Sequence, residues 1–222
     1  MTFSHTFIFL HSNQQKKKIL DQRSALSKEA CSVISSLAAV LGDDFEPLAE
    51  FFIGVLFKMV TNSINVLSEN AHQCIISIIR KCHKLDRSIP LICNSATSSH
   101  NVLRTKAMEY LKIALMELPT SAIEKFAANI EFCISKGVID ALPDARTSAR
   151  QCYWRYHTHL PFAAQKLFSA FEATTLILNC CTLAKPNLIL RSVGVGADVG
   201  FGSIGCSDLR GSPSNFLFFL SS

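Results

Sequence analysis

Between residues 22 and 180 glycine occurs only at Gly42, Gly54 and Gly137, while apolar side chains recur at helical spacing throughout. Ala30, Val33, Ile34, Leu37, Val40 and Leu41 follow the rhythm of one helix face and stop at Gly42, a residue suited to the position just past a helix end. Leu103, Ala107, Leu111, Ala114, Leu115 and Leu118 repeat the rhythm up to Pro119. Ala149, Cys152, Tyr153, Tyr156 and Leu160 repeat it up to Pro161, and proline cannot extend a helix.

The spacing predicts helices over 22–42, 45–60, 66–83, 86–97, 102–118, 121–140, 145–159 and 162–179. Ile75 to Ile79 is β-branched enough for a strand, but helices on both sides favour a buried helix. Asp43 with Glu46 and Ser121 with Glu124 have the spacing of capping boxes, and Asp144 is placed to cap the helix that follows it. Helices joined by links this short pack antiparallel with their neighbours. Pairing them gives units that start near 45, 86 and 121, a period typical of helical-hairpin repeats. The expected fold is all-α, an α-solenoid of HEAT-type antiparallel helix pairs.

Composition agrees. The chain has 222 residues, 49% hydrophobic and 18% charged, which excludes a largely disordered protein. The net charge is +5, yet residues 21–180 carry 16 basic against 15 acidic side chains, so no nucleic-acid-binding field is expected. No continuous apolar run reaches the roughly 18 residues of a membrane span. The nine cysteines are odd in number and mostly set in apolar runs, as buried free thiols in a reducing compartment would be.

Both ends differ from the middle. Residues 1–20 are unassigned and expected to be disordered; their short apolar run lacks the basic lead of a signal peptide. Residues 181–222 hold six of the nine glycines and read as a disordered Gly/Ser-containing tail. Gly194 to Gly202 does not have the G-x-G-x-x-G spacing of a phosphate loop.

No catalytic or metal chemistry stands out. No C-x-x-C occurs, and on a helix the rings of His157 and His159 point roughly 200° apart, too far to share a metal. G-x-S-x-G, Walker and H-E-x-x-H motifs are absent, so neither enzyme activity nor a cofactor is expected. Trp154 reads as a core aromatic. What remains is a set of turns inside the repeats, at 61–65, 97–101 and 141–145. They are small or polar, with Arg104, Lys106, Arg146 and Arg150 close behind them. A row of such turns suits an acidic protein partner.

Several segments resemble one family. Arg23-Ser24 through Lys28-Glu29-Ala30-Cys31 to Val40-Leu41-Gly42 is similar to a helix in the second TOG domain of the CLIP-associated proteins (CLASPs). So are Arg80-x-x-His83 with Ile89-Pro90-Leu91-Ile92, and Val102-Leu103-Arg104-x-Lys106. The fullest match is Asp144-Ala145-Arg146-Thr147-Ser148-Ala149-Arg150-Gln151-Cys152-Tyr153-Trp154, continuing to His159. The resemblance implies a HEAT-repeat module over 21–180, incomplete at its N-terminal end. It implies tubulin or microtubule binding through the intra-repeat loops by a cytoplasmic, cytoskeletal monomer with roles at the spindle and in cell division. By position the implied contact residues are Asn62, Ser63, Ser99, Asn101, Arg104, Asp144, Arg146 and Arg150. The alternative is a generic HEAT scaffold for another acidic protein.

Overall fold

Helices form largely where the periodicity places them, and several end on an identifiable signal. The computed structural model describes residues 13–171, all within one compact unit. α1 occupies 13–19. α2 (Ser24–Leu41) closes at Gly42, whose amide donates to the Ala38 carbonyl and whose φ of 53°, in the left-handed region, turns the chain out of the helix. A 3₁₀ turn, Gly42–Phe45, leads into α3 (Glu46–Val60), which has proline in its first turn. α4 (Asn65–Lys81), α5 (Ser88–Ala96) and α6 (Asn101–Glu117) follow. The helix expected over 121–140 is broken at Phe126 into α7 (Thr120–Lys125) and α8 (Ala127–Val138). α9 (Pro143–His159) and α10 (Pro161–Ser169) complete the described part. The expected helix beyond 171 and the tail from 181 lie outside the described residues.

The helices stack in two layers. α2, α4, α6 and α9 pack in succession, and α3, α5, α8 and α10 do the same beside them. The hairpins α3–α4, α5–α6 and α8–α9 join the layers. This is the expected HEAT-type solenoid. Residues 13–19 add to it: Ile19 is fully buried, its carbonyl accepts from Ser27, and the Lys16 ammonium lies 5.7 Å from the Phe51 ring centre. α1 and α2 thus make a further helix pair, ahead of the boundary expected at residue 21.

The core lies between the layers, with Phe52, Ile53 and Leu56 of α3 meeting Leu67, Ile75, Ile78 and Ile79 of α4, all essentially inaccessible. Each such side chain contributes about 1.5–3 kcal/mol by leaving water. The Ile75–Ile79 run is therefore a buried helix segment, as the helices on both sides of it favoured. By length and composition Ser24–Val60 could also cross a membrane, but a 3₁₀ turn interrupts it and Ala30, Ile34 and Ala38 pack into the core. Trp154 is half-buried against the core, edge-on to Tyr153 at 5.3 Å. Six described cysteines are buried free thiols.

Neither expected capping box forms. No side chain caps α3 or α7, and Asp43 instead accepts from the His83 amide 2.8 Å away, tying two inter-repeat turns together. Asp144 sits inside the first turn of α9, where its charge opposes the helix dipole without capping it.

A buried polar network joins α4 to α6. His72 Nδ1 is 2.9 Å from the Tyr110 hydroxyl, and Nε2 is 3.2 Å from the Lys106 ammonium. An ammonium can only donate, so Nε2 accepts and Nδ1–H donates to Tyr110. Lys106 also donates to Glu109 at 3.3 Å. Burial first, and the Lys106 charge second, push the His72 pKa below its ordinary value, against the weaker pull of Glu109 and Glu69. Below about pH 6.5 the unfolded chain takes up a proton at this histidine that the folded chain resists. Stability should therefore fall as pH drops from about 6.5 toward the lower folded value. His72→Gln should flatten that part of a urea-midpoint profile; equal slopes in the two proteins would contradict this role.

Candidate functional site

Because successive hairpins stack side by side, the link that closes each hairpin and leads into α2, α4, α6 or α9 reaches the same edge. Four links lie there, at 20–23, 61–64, 97–100 and 139–142. All four are built alike. A short polar side chain accepts from the amide two residues on: Asp21 from Arg23 at 2.9 Å, Asn62 from Ile64 at 2.9 Å, Ser98 from His100 at 3.2 Å, and Asp140 from Leu142 at 2.8 Å. Each accepted amide belongs to the N-cap residue of the following helix. These are the Asx- and Ser-turns that such side chains favour.

A second element repeats four residues past each N-cap, where a side chain donates back to the loop or to the last residue of the helix before it. Ser27 reaches the Ile19 carbonyl at 3.2 Å, and Ser68 reaches Val60 at 2.7 Å. Arg104 reaches Ser98 at 2.9 Å, and Arg146 reaches Asp140 and Ala141 at 2.7 and 2.9 Å. The residue at the tip of each loop (Gln22, Ser63, Ser99 or Ala141) is left exposed.

Arg104 does more. Its Nε donates to Asp140 Oδ2 and its Nη2 to Oδ1 at 3.3 Å, bridging the third loop to the fourth. Its side chain is 17% exposed and that of Asp140 is 8% exposed. Burial disfavours the Asp140 carboxylate, but bonds from Arg104 and the Leu142 amide, with the Arg104 and Arg146 charges, outweigh it. The carboxyl therefore sits below its ordinary pKa.

The CLASP N-terminal family (CLASP_N) matches residues 3–177. This chain belongs to that family. CLIP-associating protein 1 of Xenopus tropicalis is 34% identical over 154 residues, which are 69% of this chain and 10% of that protein. The CLIP-associated protein of Arabidopsis thaliana is 36% identical over 157 residues, 70% of this chain and 11% of the relative. The chain thus matches about a tenth of the length of these relatives. A structure from a study of microtubule plus-end tracking by XMAP215, CLIP-170 and EB1 has the same fold. It superposes with a TM-score of 0.65 at 15% identity, over 76% of this chain and 70% of that one. The CLASP_N match begins at residue 3 and so includes the described part of α1.

Against this geometry the expected contact residues of the CLASP-family edge divide into two groups. Ser63, Ser99, Asn101 and Asp144 are exposed along it. Asn62, Arg104 and Arg146 shape the loops, and Asn101 Oδ1 also accepts from Arg104 at 3.1 Å. Arg150 is half-buried and donates to the Thr147 hydroxyl at 3.0 Å; burial first and the Arg146 charge second lower its pKa. The edge also presents Arg23, 77% exposed, together with His100 and the apolar Ile64, Val66, Val102 and Ile139. The short polar residue two places before each N-cap was the available signal for Arg23. Among the described residues, no group of three or more His, Cys, Asp or Glu is placed to hold a metal ion.

Proposed function

We propose that this chain is a non-catalytic tubulin- or microtubule-binding module that influences microtubule dynamics through the edge formed by its four intra-repeat loops. The observation that carries the reading is the shared build of those loops, which holds four exposed tips in one row on a braced scaffold. Family membership and the plus-end-tracking neighbour support the choice of partner. In this reading Ser63, Ser99, Asn101, Asp144 and Arg150 contact the partner, while Asn62, Arg104 and Arg146 act chiefly by shape. The module acts as a monomer at the cytoskeleton, without nucleic acid, membrane or cofactor, and the tail from 181 lies outside it. Among TOG domains, the segments around Arg23 and Arg146 favour the second.

Co-sedimentation of the full chain with tubulin and with microtubules tests this. Binding should weaken between low and physiological salt, because an acidic partner and a cationic edge attract through a screened field. Failure to pellet at either salt, by a chain that circular dichroism shows to be helical, contradicts the proposal.

A further inference from the structure

We infer that Asp140 is a positioning residue of this edge, a buried carboxylate that couples the third loop to the fourth so that both meet the partner as one platform. The inference rests on the tubulin reading for its functional consequence. At the two earlier loops the residue four past the N-cap is a serine, Ser27 or Ser68, whose hydroxyl bonds a carbonyl of its own hairpin. At the third it is Arg104, long enough to hold the Ser98 carbonyl and the Asp140 carboxylate together, across 36 residues of sequence. Asp140 in turn accepts from the Leu142 amide, so one carboxylate fixes the turn before α9 and the guanidinium that fixes the turn before α6. Arg146 closes the arrangement by donating to the Asp140 carbonyl. Two loops held this way carry less disorder into a complex than two independent ones, and that preorganisation favours binding.

Asp140→Asn separates this role from plain electrostatics. The amide oxygen can still accept from Leu142, but the charge that holds Arg104 is gone. The edge also becomes one charge more positive, so simple attraction to acidic tubulin predicts tighter binding. Positioning predicts the opposite, a loss of about fivefold or more. Hydrogen exchange of the unliganded full chain gives a readout independent of tubulin: peptides spanning 97–103 should exchange faster in the variant, with α3 and α4 unchanged. Weaker binding with faster exchange at 97–103 supports the coupling. Unchanged exchange there, or equal or tighter tubulin binding, overturns it. If the wild-type chain does not bind tubulin, the proposed function fails, and the exchange comparison still decides whether Asp140 couples the loops.

Discussion

Gly137→Val should lower the thermal midpoint by roughly 10 °C, a loss of about 3 kcal/mol. A β-carbon at residue 137 would lie 2.8 Å from the Ala149 β-carbon and 2.8 Å from the Met108 terminal methyl. The methionine end can swing aside, but the alanine carbon is fixed to the α9 backbone, so α8 and α9 must separate. Gly137→Ala meets the same contact but recovers about 1 kcal/mol of helix propensity, so its effect should be smaller. Valine adds two methyl groups and gains less from propensity. Calorimetry on the three proteins should give the order Gly, Ala, Val in decreasing stability; a valine variant as stable as wild type would show that the helices can part without cost.

Arg104→Glu should cost about 2–3 kcal/mol and disturb two loops at once. The substitution faces Asp140 with a second carboxylate at a site where both native side chains are largely buried. It also leaves the Ser98 carbonyl without its guanidinium donor. Arg104→Met removes the charge without the repulsion and should fall between the two. Chemical denaturation measures both; a glutamate variant no less stable than wild type would mean the bridge contributes nothing. Lost partner binding in Arg104→Glu would therefore not identify a contact, whereas substitutions at the exposed tips would.

Much of the architecture was legible because periodicity is a local property. The spans ending at Gly42, Pro119 and Pro161 needed no knowledge of the rest of the chain. α1 was not legible: its seven described residues include three lysines and one fully buried apolar side chain, too little for a period. It is held through Ser27 and Phe51, which lie outside it. The capping boxes failed for a related reason. Asp43 has the right spacing to Glu46, but its carboxylate is taken by an amide 40 residues away.

The loop residues show the same limit. An arginine in the first turns of a helix can face solvent or fold back, and the choice for Arg104 is made by Asp140. Asp140 was not singled out, since a lone aspartate before a proline-started helix resembles any turn residue. The exposed tips could be placed by position, but their neighbours Ile64, Val66 and Val102 give the edge an apolar character that charge patterning does not predict.

The measurement that tests the central claim most directly is tubulin co-sedimentation of the full chain beside its Ser63→Glu, Ser99→Glu double variant. Both serines are exposed at loop tips, and the side-chain bonds that brace the loops use neither hydroxyl. The account predicts an unchanged thermal midpoint and tubulin binding weaker by about tenfold or more, because two new carboxylates would face an acidic partner. Equal binding by a folded variant would contradict it and move the contact surface away from the loop edge.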